Sequence, residues 1–173
     1  MDDPSTTGAR AAGICRRLAA LLYDLLVVAA LLFVATIPWL ALTGGEAITP
    51  RTSGFVGYLY RAWLVAVAFA YFGLSWTRGG QTLGMRAWRI RLERAAGGAP
   101  GWLDAVVRFT LGAAMALMAG FGLWFLRAPG WSLTDAGAIL LLSPPVANLL
   151  WALLDPEGRS LQDLASDTRV ARR

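Results

Sequence analysis

The sequence has no lysine, no histidine and one cysteine, Cys15, among its 173 residues. Those absences exclude a structural zinc site of the usual Cys and His kind, a disulfide within the chain and a Cys/His catalytic pair. A phosphate loop is excluded as well, because Gly79, Gly80 and Gly84 lack its spacing and its lysine. No nucleophile sits beside a base; Asp104 and Glu93 are the nearest to catalytic candidates, so the chain reads as neither an enzyme nor a cofactor protein, and no metal is expected. All 16 basic residues are arginine, and against 11 acids they leave a formal charge of +5. A nucleic-acid binder would gather that charge on a soluble module with stacking aromatics. Here the arginines flank apolar runs, and no nucleic-acid partner is expected.

What is abundant is oil. Hydrophobic residues make up 57% of the chain and the mean hydropathy is +0.53, above the roughly 45 to 50% apolar content of soluble domains. Four runs reach the roughly 20 residues that a helix needs to cross about 30 Å of hydrocarbon: 18–42, 55–76, 103–126 and 136–154. Helices of a soluble bundle would show a polar face every turn, and these mostly do not. Arg108 lies inside the third run, and Pro144-Pro145 interrupts the fourth, where neighbouring helices can satisfy the freed backbone groups. The first run exceeds the roughly 7 to 15 residues of a signal peptide core, and Arg16-Arg17 reads as ordinary flanking charge rather than a twin-arginine signal.

Orientation follows from the arginines. With the N-terminus in the cytoplasm, thirteen fall on that side and only Arg51, Arg61 and Arg127 on the other. That bias predicts an even number of spans with both termini cytoplasmic. Tryptophan favours the interface: Trp39, Trp63, Trp124 and Trp131 fall near the outer boundary, and Trp76, Trp102 and Trp151 near the inner one.

The expected architecture is an all-α, four-span transmembrane bundle. Residues 1–11 are expected to be a disordered cytoplasmic N-terminus, 12–170 the transmembrane domain and 155–173 a cytoplasmic tail. Between spans two and three, Trp88 to Glu93 alternates apolar and charged residues at the period of a strand, and Ala95 to Gly101 follows as a turn. A short strand-like hairpin loop is expected there. From Arg78 to Gly101 the loop carries five Arg and one Glu, a charge of +4 with two alternative readings: attraction of anionic lipid, or the fixing of topology alone. Ser160-Leu161-Gln162-Asp163 has the form of a capping box opening a short C-terminal helix. The alternative role for Asp163 is an inner-face gate or a counter-ion for an arginine of the cytoplasmic loop. Gly112, Ala116 and Gly120, and likewise Ala62, Ala66 and Ala70, form small-residue stripes that let helices approach, within one chain or in a homo-oligomer.

Asp24 is the central candidate. Six residues past Leu18, it lies roughly 9 Å into the apolar layer. An acid near the membrane centre costs about 2.5 to 3.5 kcal/mol, so the group should face a bundle interior, be protonated or be paired. Arg17, seven residues earlier, shares its face to within about 20°. Arg108, about 7.5 Å deep from the same side, is the predicted partner across helices. Asp104, four residues before Arg108, is its local competitor.

Arg17-Leu18-Ala19-Ala20 with Tyr23-Asp24, Gly80-Gln81-Thr82-Leu83-Gly84-Met85-Arg86, and Arg159-Ser160-Leu161-Gln162-Asp163 with Thr168-Arg169-Val170 together resemble the RDD family of bacterial membrane proteins, over about residues 12–170. The resemblance implies that Arg17, Asp24 and Asp163 are the residues for which the family is named. It implies a multipass protein of the bacterial cytoplasmic (inner) membrane, with a proposed role in transport and, for some members, cation/proton antiport. Gln162 departs from it, since members often carry His there. Physics permits such a role, because an intramembrane carboxylate is a usual proton or small-cation site. The candidate ion or ligand residues are therefore Asp24, Arg17, Arg108 and Asp163. The alternative is a non-transporting scaffold or assembly factor in which Asp24 is a structural pin.

Overall fold

A computed structural model of the chain describes residues 12–49, 54–127 and 136–172. The expected disorder of 1–11 and the placement of Trp131 fall outside them. Four long helices, α1 (Ile14–Leu42), α2 (Phe55–Gly79), α4 (Trp102–Arg127) and α5 (Ala136–Leu154), are each long and apolar enough to cross a membrane. A short helix α3 (Leu83–Ala87) and a strand β1 (Ile90–Arg94) lie between α2 and α4. A second short helix, α6 (Leu161–Ala165), and a strand, β2 (Thr168–Arg172), follow α5.

Local chemistry sets the ends. Thr43 closes α1, its hydroxyl donating to the Trp39 carbonyl at 3.1 Å, before a turn through the positive-φ residues Gly44 and Gly45. Helix α2 stops at Gly80, left-handed at φ 65°, where a Cβ would lie 2.7 Å from the Leu92 carbonyl oxygen. Glycine is thus required twice there, by dihedral and by space. The proline pair does not break α5, which runs through it.

The strand expected after span two is present, but its partner is remote in sequence. It pairs antiparallel with β2, Leu92 opposite Val170, rather than with its own Gly-rich turn. The period-two pattern puts Ile90, Leu92, Thr168 and Val170 on the buried face. Turn chemistry governs only neighbouring strands, whereas this pairing is set by burial of that face against Ala12, Ala20, Trp76 and Ala105. Phe72, Met85 and Phe109 pack around the same cluster. The hydrophobic core therefore sits at one end of the four helices.

Elsewhere the long helices turn large apolar side chains outward: Phe33 is 75% exposed, Phe55 77% and Leu154 79%. In water such a surface would not persist; in lipid it is the expected face. The small-residue stripes play a smaller part than expected. Ala62, Ala66, Ala70, Ala116 and Gly120 are exposed. The close approach of α4 and α5 falls instead at Gly122, where a Cβ would come within 2.7 Å of the Leu142 side chain.

Candidate functional site

Arg17 and Asp24 rise from the same side of α1, and each reaches into the folded end of the molecule. Asp24 is 3% exposed. It accepts hydrogen bonds from Tyr71 Oη of α2 at 2.6 Å, from Thr82 Oγ1, and from the Gly84 backbone N–H at 2.8 Å. Two donors are themselves acceptors. Tyr71 Oη takes the Leu83 N–H at 3.3 Å, and Thr82 Oγ1 takes the Met85 N–H at 3.1 Å. A helix begins with backbone N–H groups that have no partner within it. In α3 those of Leu83, Gly84 and Met85 are met by Tyr71, Asp24 and Thr82 in turn. Gly84 makes the arrangement fit: a Cβ there would overlap the Ala20 carbonyl oxygen and lie 2.9 Å from the Asp24 carboxylate. The Gly-Gln-Thr-Leu-Gly-Met motif is thus a docking segment. Gly80 turns the chain, Gln81 Nε2 donates to the Ile90 carbonyl at 2.8 Å, Thr82 caps α3, and Gly84 lets it lie against α1.

The predicted bond between Asp24 and Arg108 does not form. Among the described residues Asp24 has no basic partner. The depth expected from the sequence carried no direction: Arg108, on α4, turns to the chain's C-terminal segment. It binds Asp163 Oδ1 and donates to Thr168 Oγ1 at 3.0 Å, and its guanidinium carbon lies 5.6 Å from the centre of the Trp76 ring. Nor does Asp104 compete for it. Arg94 holds Asp104 with two bonds, 2.7 and 3.2 Å, and the Gly101 N–H donates to the same carboxylate at 2.7 Å.

Asp163 is the other centre and is wholly buried. The capping box expected at Ser160 is present, with Ser160 N–H donating to Asp163 Oδ2 at 2.9 Å and the Asp163 N–H to Ser160 Oγ at 3.3 Å. The same carboxylate is a counter-ion, not to an arginine of the loop but to Arg17 at 2.7 Å and to Arg108. Arg17 also donates to the carbonyls of Ala12 at 3.0 Å and Val170 at 3.4 Å, tying α1 to β2. Burial alone would push the Asp163 carboxyl up; the charges of Arg108 and Arg17, with the Ser160 N–H, outweigh it and hold the group below its ordinary value. An Arg–Asp–Arg group thus joins α1, α4, α6 and β2.

Tyr71, Thr82, Gly84, Thr168 and Trp76 complete these contacts and were not among the candidate site residues, although Thr82, Gly84 and Thr168 lie in the motifs that carry the family resemblance. Thr82 carried a signal, a Thr immediately before a short apolar run, which is an N-cap pattern. Tyr71 and Trp76 carried none, being aromatics in an apolar helix. Among the described residues no three His, Cys, Asp or Glu side chains converge to hold a metal.

Four apolar helices capped at one end by a small docked module, with two buried carboxylates fastening it, define a multipass integral membrane protein. Residues 11–167 match the model of the RDD family, and the chain belongs to that family. Neither curated proteins nor solved structures give a match.

Proposed function

We propose that the chain is a non-enzymatic transport component of the cytoplasmic membrane, bacterial by the family resemblance, in which Asp24 loads a proton or a small cation. One observation carries this reading: a buried carboxylate, about 15 Å along α1 from its first residue, ringed by the hydroxyls of Tyr71 and Thr82 and by an N–H, with no arginine beside it among the described residues. A buried acid without a counter-ion is a natural place for a proton or cation to supply the missing charge, and the two hydroxyl oxygens are cation ligands as well as donors. Both termini lie in the cytoplasm on this reading, as the thirteen-to-three arginine bias requires. Four helices enclose little space, so a path across the bilayer is completed by a second copy.

The test is flux in proteoliposomes under an imposed pH gradient, with sodium or potassium outside. Asp24→Asn keeps one acceptor for the Gly84 N–H, so the variant should remain folded and lose flux. Unchanged flux in that variant would remove the reading, as would a folded native protein that moves no cation in either direction.

A second reading rests on a different observation. All three donors to Asp24 belong to, or support, the first turn of α3. Asp24 is then a pin in a scaffold or assembly factor, and Asp24→Asn lowers stability or partner capture in a protein that never shows flux.

A further inference from the structure

At the end of α2 the chain turns through Gly79 and Gly80 into α3, and the turn encloses an open cleft of about 310 Å³. Arg78 and Arg86 line it, together with Gln81 and the apolar Leu74 and Leu83; no acidic side chain does. Arg86 reaches back across the turn, one of its terminal nitrogens standing 3.7 Å from where a Gly79 Cβ would be, next to Arg78 in the chain. Neither arginine forms an ion pair among the described residues, in contrast to Arg17, Arg94, Arg108, Arg159 and Arg169. A third guanidinium is close by. The Arg91 side chain lies against Gly80, its Nε 3.0 Å from where a Cβ would be, and that Nε is buried without a hydrogen-bond partner among the described residues.

We propose that this cleft binds the phosphodiester of an anionic phospholipid. Like charges drawn together without a carboxylate repel one another, and a phosphate removes the repulsion while accepting bonds from guanidinium forks. A lipid fits better than a free anion because the cleft stands at the end of a spanning helix. Leu74 and Leu83 form part of its wall, and Leu83 is exposed there, where acyl chains would meet it. This goes beyond general attraction of lipid to a basic loop, since it assigns the binding to two arginines and not to their neighbours. It holds whether or not Asp24 carries an ion.

The experiment uses the full chain in mixed micelles, with phosphatidylglycerol titrated against phosphatidylcholine and bound lipid counted by native mass spectrometry. Arg78→Gln and Arg86→Gln should each raise the half-saturating phosphatidylglycerol fraction about fivefold, and together about 25-fold. Arg89→Gln, at an exposed position outside the cleft, should leave it unchanged. Thermal melting in phosphatidylcholine alone checks that the variants fold, and the single variants stand if the double one does not. An equal loss with Arg89→Gln would reduce the effect to diffuse charge. Full displacement of the lipid by millimolar inorganic phosphate would assign the cleft to a soluble anion. Either result, or equal retention of both lipids by the native chain, overturns the proposal.

Discussion

Asp163→Asn is the sharpest perturbation the structure offers, because it removes one charge and strands two. Asn keeps the size of the side chain and an oxygen for the Ser160 N–H, and the backbone N–H of residue 163 still donates to Ser160 Oγ, so packing and the capping box survive. What disappears is the counter-charge of Arg108, whose side chain is 7% exposed, and of Arg17, at 14%. Leaving one member of a buried ion pair uncompensated costs about 3 to 5 kcal/mol, and total stabilities are typically about 5 to 15 kcal/mol. The variant should therefore lose about a fifth or more of its stability, measured by denaturant unfolding in mild detergent. Its tail, carrying Arg159, Arg169 and Arg172, should become open to trypsin first. Adding Arg108→Gln to Asp163→Asn should cost little more, because the second change removes a stranded charge instead of a partner. Such non-additivity is the signature of a shared network. If the two changes add in full, or if Asp163→Asn alone costs under about 1 kcal/mol, the carboxylate does not hold this end together.

Other expectations follow from the same contacts. The lowered pKa of Asp163 means that its contribution is whole above the ordinary aspartate value of 3.8, falls away as pH drops from there through the lower folded value, and is absent below it; melting temperature against pH should be insensitive to Asp163 near neutrality. Gly84→Ala should separate α3 from α1, costing about 1 to 3 kcal/mol by overpacking, visible as a lower melting temperature. Tyr71→Phe should cost about 1 to 3 kcal/mol in stability, since it leaves the Asp24 carboxylate and the Leu83 N–H each one partner short. Leu92→Ala, at the centre of the two-stranded sheet, should cost about 2 to 5 kcal/mol in the same assay.

The four helices were legible because a membrane imposes length and apolarity on each span separately, so no knowledge of neighbours was needed. The strand at Ile90 was legible for a similar reason, since burial on one face writes period two into the residues themselves. Its partner was not. Thr168 to Arg172 carries the matching pattern over five residues, too short to distinguish from a turn, and 73 residues lie between Arg94 and its partner Thr168 with no local signal to join them. Ser160 and Asp163 announced their capping box because that bond spans three residues. The two arginines that bind the same carboxylate come from helices whose rotation the sequence does not record.

That difference explains why the depth argument failed for Asp24. The sequence places Arg108 and Asp24 at similar depth, and nothing in their spacing says which of two buried acids the arginine faces. The structure divides the work by charge. Asp163, with no exposed surface, takes both arginines and is thereby fixed as an anion, while Asp24 receives only neutral donors. Had Arg108 turned to Asp24, each acid would hold one arginine and neither would have charge left to gain. With both arginines on Asp163, Asp24 is a buried acid of this end with no basic partner among the described residues. One acid serves as a fastening, and on the proposed transport reading the other is the one that exchanges a proton or cation. The pair of Asp→Asn variants separates those roles: Asp163→Asn should fail in stability, and Asp24→Asn in flux.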